Sequence, residues 1–225
     1  MFLISEDLLL LLLDDDKGTL TGSAYPQTAL GGAVLIELAL AGAVSGEEKN
    51  GVGRSTKVRA TPGATLDDDV LQAAYDVVAE KPRGAQELVT RLGKGLPERL
   101  GDRLAARGIL ERRESRTLGL FPRTRWPAVD SRHEEEVRRQ LARVLVQGAE
   151  PDQRTGALVA LLSALGKAPK VVDHGGLPAT QVARRAKELA EGAWAARAVR
   201  DAINASTAAM TAATTAAVAA GVASS

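Results

Sequence analysis

The sequence predicts a mainly α fold: a single compact helical domain over residues 1–203, with a winged-helix-like section and a protruding basic β-hairpin, followed by a partly disordered Ala/Thr-rich tail, 204–225. Three observations predict it. Apolar residues recur at helical spacing between Gly, Pro and Asp stops along most of the chain. A passage of helix, glycine turn and helix runs into a short arginine-rich strand pattern. No internal repeat or strong linker divides the 225 residues, which are enough to bury a sizeable core.

The elements follow in order. Ser5 reads as an N-cap with Glu6 and Asp7 in the first turn; the six leucines of 8–13 continue as a buried helix, and 14–18 stops it. That run is far below the roughly 18 apolar residues of a bilayer span, and its acidic flanks do not suit a secretory signal. A cytoplasmic protein with at most peripheral membrane contact is therefore expected. Pro26 lies near the start of a second helix, and 29–43 is apolar nearly all round, as befits the centre of a helical core. Its one charge, Glu37, needs a backbone donor or an arginine as partner. Gly31, Gly32 and Gly42 permit close helix approach or mark the helix end.

Residues 44–60 read as a weak exposed hairpin or mobile loop. Thr65 and Asp68 cap an amphipathic helix carrying Val70, Leu71, Ala74, Val77 and Val78. Helix 85–92, the turn Gly93-Lys94-Gly95 and helix 97–107 with Gly108 as its C-terminal cap come next. In the last of these Leu96, Leu100 and Leu104 form a packing stripe, and Arg99, Arg103 and Arg107 a neighbouring stripe expected to stay cationic. A hairpin follows, 109–113 and 117–122 with its turn at Glu114-Ser115, carrying Arg112, Arg113 and Arg116, with Arg123, Arg125 and Trp126 just beyond. Asp130 opens a charged helix through Val146, with Glu134–Arg138 and Glu135–Arg139 pairs. Asp152 caps a helix through Leu165, and a helix from about Thr180 to Ile203 precedes the tail.

Composition removes whole classes of chemistry. With no cysteine there is no disulfide, thiolate nucleophile or cysteine-held metal, and with only His133 and His174 imidazole catalysis has little to work with. Aromatic residues at 3% are too few for stacking single-stranded nucleic acid. Gly93-Lys94-Gly95 lacks the spacing of a phosphate loop, no nucleophile elbow occurs, and the acidic triplets 14–16 and 67–69 lack a calcium-loop framework. No catalytic residue, cofactor or metal is expected. The net charge of +1 conceals a division: residues 1–80 hold five basic and thirteen acidic side chains, and 81–143 sixteen and nine. That basic middle suits an anionic partner, or else its arginines pair with the acidic first third.

The motifs Ser5-Glu6-Asp7, the leucines 8–13 with the stop Asp14-Asp15-Asp16-Lys17-Gly18, and Leu30-Gly31-Gly32-Ala33-Val34-Leu35-Ile36-Glu37-Leu38-Ala39-Leu40 together resemble the opening of the Golgi phosphoprotein 3 family, including its bacterial members. Glu98-Arg99-Leu100, then 104–110 and a hairpin running into Phe121-Pro122-Arg123-Thr124-Arg125-Trp126-Pro127 continue the likeness. The resemblance implies a mostly helical adaptor without catalytic activity. Its eukaryotic relatives bind phosphatidylinositol 4-phosphate and hold cytoplasmic tails of membrane glycosyltransferases. It also implies that the hairpin takes part in membrane contact or self-association, so a homo-oligomer is possible. The tryptophan and three arginines of the eukaryotic lipid pocket fall here on Gly22, Gly31, Lys94 and Pro97, and only Lys94 keeps the charge.

The expected function is thus a peripheral adaptor: Lys94 with Arg91 or Arg99 meets an anionic lipid headgroup, and Arg112, Arg113, Arg116, Arg123 and Arg125 surround Trp126, which suits either an interface or the core. The alternative is a winged-helix nucleic-acid binder with Arg99, Arg103 and Arg107 in a groove. Glu98 and Asp102 on the same helix would repel a phosphate backbone, so nucleic acid is not the expected partner.

Overall fold

Helix α1, Ile4–Leu12, starts one residue before Ser5, which lies buried in its first turn. The cap is made from inside: the Glu6 carboxylate accepts the Leu3 backbone N–H at 2.7 Å. The computed structural model describes residues 1–14, 17–20, 26–47, 57–117 and 121–191, with the backbone alone for 115–117 and 121–123. Every residue of α1 is buried.

Helix α2, Pro26–Leu40, is the central rod, packed against α1, against α3 (Asp69–Ala79), α4 (Ala85–Leu92) and α5 (Leu96–Ala106), and against α7 (Gln153–Ala164). Asp68 caps α3, accepting the N–H groups of Val70 and Leu71 at 2.9 and 3.3 Å. The hairpin reading of 44–60 is met by β1, Val44–Glu47, and β2, Lys57–Ala60, antiparallel with Val44 opposite Ala60. Strand β3, Arg83–Gly84, adds to β2 and completes a sheet of order β1-β2-β3. The order α3-β3-α4-α5-hairpin is that of a winged helix, yet β3 pairs with β2 and not with the hairpin.

The hairpin itself is β4, Arg113–Thr117, and β5, Phe121–Arg125, with Arg113 opposite Arg125 and Thr117 opposite Phe121. Its connection falls at 118–120, outside the described residues, and not at Glu114-Ser115. The base sets this register: Leu110 bridges Ala128, and the Glu111 N–H donates to the Pro127 carbonyl at 3.0 Å.

Helix α6, Arg132–Leu145, starts after Ser131, with Asp130 accepting the Arg132 N–H at 3.0 Å. Glu134 pairs with Arg138 as expected, but Arg139 turns to Glu136 at 2.6 Å and leaves Glu135 to the Ser131 hydroxyl. Asp152 caps α7, and a 3-10 turn at Ala168–Lys170 leads to α8, Ala179–Ala190. The expected continuation to Ile203 and the tail lie outside the described residues, as does Gly22. One continuous apolar core runs from α1 to α8, and among the described residues no helix is long and apolar enough to cross a membrane.

Candidate functional site: a cationic cleft beside the start of helix α5

Helix α4 ends at Gly93, and Gly95 takes a left-handed conformation (φ +68°) that only glycine adopts freely, so the chain reverses through Lys94 into α5 within three residues. Glycine at the cap position gives α5 no side-chain cap, and Pro97 in its first turn has no N–H. The positive end of the helix dipole therefore lies open beside Lys94. Between this turn, α2 and α3 is a cleft of about 180 Å³, floored by Val34, Val70, Ala74, Val77 and Leu96 and rimmed by Arg91, Lys94 and Arg99. The three cations singled out in the sequence meet at this one opening.

They differ in commitment. Arg99 donates to the Asp69 carboxylate at 2.8 Å and to its backbone carbonyl at 3.0 Å, and this guanidinium holds Asp69 below its ordinary pKa. Arg91 is half exposed, with only Glu80 near it, at 3.9 Å. Lys94 is exposed and has no ion pair among the described residues. Arg91 and Lys94 also line a wide shelf on the opposite side, with Gln86, Glu87 and Thr90. They form the ridge between an apolar cleft and a polar shelf.

Gly31, at a place where the resembling family carries a pocket arginine, lies against α4. A Cβ there would stand 2.1 Å from the Val89 carbonyl oxygen and 2.7 Å from the Gly93 nitrogen, so the helix crossing leaves no room for a side chain. Pro97 is buried and offers no donor.

The neighbouring arginine stripe does not stay cationic towards solvent. Arg103 pairs with Asp68, with Asp69 at 2.9 Å and with the fully buried Glu6 at 3.0 Å. Arg107 reaches Glu6 at 3.2 Å and lies over the Phe2 ring. Against the cost of burial, Arg103 and the first amides of α3 hold Asp68 below its ordinary value. The helix that a nucleic-acid reading would seat in a groove thus has its three arginines turned onto its own protein's carboxylates.

Behind these pairs lies an ionic core that the sequence reading missed. Asp7 holds Arg154 and the His133 Nε2, each at 2.7 Å, and the His133 ring stacks on Phe2. Glu37 accepts the Ile4 N–H at 2.8 Å and faces Arg154 at 3.3 Å; burial nevertheless pushes its pKa up to about 7. The available signal was three acids, Glu6, Asp7 and Glu37, inside otherwise apolar helices. Glu6 and Asp7 read instead as ordinary first-turn acids.

The hairpin cations are largely paired as well. Arg112 meets Asp102 and Glu114, both at 2.9 Å, and Arg113 meets Glu111 at 2.6 Å. Arg125 is half-buried, and the side chains of Arg116 and Arg123 lie outside the described residues. Trp126, 6% exposed, belongs to the core: a Cβ on Gly101 would come within 2.5 Å of its ring. This corrects the expectation of an apron of arginines centred on an exposed tryptophan, because the ring fills the space that Gly101 leaves in α5.

A family model described as Golgi phosphoprotein 3 (GPP34) matches residues 4–206. No curated protein matches the chain.

Proposed function

The chain belongs to the Golgi phosphoprotein 3 family, and from that premise we propose that it is a peripheral membrane adaptor, without catalytic activity, that binds anionic phospholipid headgroups at the cleft beside Lys94. The family is one of non-enzymatic adaptors, and membership fits lipid binding in general.

The observation that supports the reading best is the meeting of Arg91 and Lys94 with the open start of α5 above an apolar floor. A phosphate at the rim gains two cations and a helix dipole, while the carbons next to it rest on Val and Leu side chains. At about 1 kcal/mol per cation near an anionic surface, two cations give weak, reversible attachment. The hairpin, through Arg116 and Arg123, supplies a second contact to the membrane or to another copy of the chain. Cytoplasmic tails of membrane proteins are the cargo this role calls for, and the protein works in the cytoplasm, peripherally attached.

Vesicle flotation across a salt series tests this. Binding to anionic and not to zwitterionic vesicles is expected, weakening as salt shortens the range of the attraction. Retardation of duplex DNA with no vesicle binding at low salt would contradict it.

A further inference from the structure

We propose that the ridge of Arg91 and Lys94 selects one kind of anionic lipid: a phosphodiester whose headgroup is a neutral, unphosphorylated polyol of the glycerol or inositol kind. The inference rests on the membrane reading above and concerns which lipid the same site prefers.

The two sides of the ridge differ in a way that matches the two ends of such a molecule. On the cleft side, the described lining apart from Arg91, Lys94 and Arg99 consists of Val, Ala, Leu and Gly. Nothing there accepts a hydrogen bond through its side chain, so a ring of hydroxyls entering the cleft would leave several donors without partners, each costing about tenfold in affinity. The carbon skeleton next to the phosphate meets no such penalty. The small volume, below that of a drug-sized site, admits only this part of a lipid.

On the shelf side the chemistry reverses. Glu87, Thr90, Arg91 and Lys94 stand at i, i+3, i+4 and i+7 on α4 and so share one exposed stripe. The Thr90 hydroxyl donates to the Gln86 carbonyl at 3.2 Å, which leaves its oxygen free to accept. Glu87 is well exposed, with Arg83 at 3.4 Å, and accepts from hydroxyl donors. A headgroup hydroxyl on the shelf thus finds a carboxylate and a hydroxyl within one helical turn of the phosphate-binding cations. A second phosphate on that headgroup would instead meet the Glu87 charge. Arg99, already tied to Asp69, does not offset it.

The test is flotation of the full chain with vesicles of matched zeta potential containing phosphatidylglycerol, phosphatidate or phosphatidylinositol 4-phosphate, compared with Glu87→Ala. Wild type should favour phosphatidylglycerol over phosphatidate by about fivefold, the worth of one or two net hydrogen bonds, and should bind the phosphorylated inositol lipid no better than phosphatidylglycerol. Glu87→Ala should erase the preference while still binding anionic vesicles. It leaves Arg83 bonded to Glu80 and to the Val77 carbonyl, and an unchanged melting temperature verifies the fold. Equal binding at matched charge, or preference for the phosphorylated ring, overturns the headgroup assignment and leaves the membrane reading standing. Absence of binding to every anionic vesicle overturns both. Displacement by soluble glycerophosphoglycerol beyond its ionic-strength effect overturns the assignment to a lipid.

Discussion

Glu37 is the one charge in helix α2, and its environment pulls in two directions. Burial raises its pKa to about 7 from an ordinary 4.5, while the Ile4 N–H and Arg154 favour the charged form. Between those two values the folded state holds a proton that the unfolded chain has released, so stability falls as pH rises through that window. The contribution is complete below about pH 4.5 and lost above about 7, on the order of 3 kcal/mol. Glu37→Gln keeps an oxygen for the Ile4 N–H and removes the titration. Urea midpoints at either end of the window should therefore converge in the variant and differ in wild type; parallel pH slopes in both would contradict the assignment. That Glu37 required a backbone donor or an arginine was legible from one carboxylate in an apolar helix. Which arginine was not, because Arg154 arrives from α7, 117 residues away. Glu6 and Asp7 were harder still, since acids in a first turn already have a local reason to be there.

At the scale of elements, the crossing of α2 and α4 fixes the shape of the cleft. Gly31 and Gly93 let the backbones touch: a Cβ on Gly93 would stand 2.0 Å from the Gln27 carbonyl oxygen, as close as one on Gly31 comes to Val89. Gly31→Ala should therefore push the helices apart, at a cost of about 3 kcal/mol, read as a lowered denaturant midpoint with unchanged m-value. A variant as stable as wild type would mean that the crossing is looser than the structure has it. Close approach was one of two roles the glycines suggested, and the partner helix was beyond reach of local pattern. The caps at Asp68 and Asp152 and the glycine turn 93–95 were legible because each depends on residues within a few positions. The hairpin connection was misplaced by several residues because its register comes from Leu110 and Glu111 meeting Ala128 and Pro127. Local turn preference could not supply that.

For the molecule as a whole, charge along the sequence is a poor guide to charge on the surface. The basic block 81–143 and the acidic block 1–80 were visible, and so was the chance that they neutralise each other. Folding does bring parts of them together: Arg99, Arg103 and Arg107 turn onto Asp69, Asp68 and Glu6. What stays available among the described residues is a narrow ridge, Arg91 and Lys94, in place of a broad basic face. The account thus depends on two side chains at the end of α4, which makes it easy to refute. Reversing one exposed charge there should matter more to membrane binding than reversing one in the paired stripe. The most direct measurement is flotation with anionic vesicles of wild type, Lys94→Glu and the paired-surface control Arg112→Glu, all verified as folded by circular dichroism. The account predicts that Lys94→Glu loses most vesicle binding while Arg112→Glu keeps it; equal binding by Lys94→Glu and wild type would contradict it.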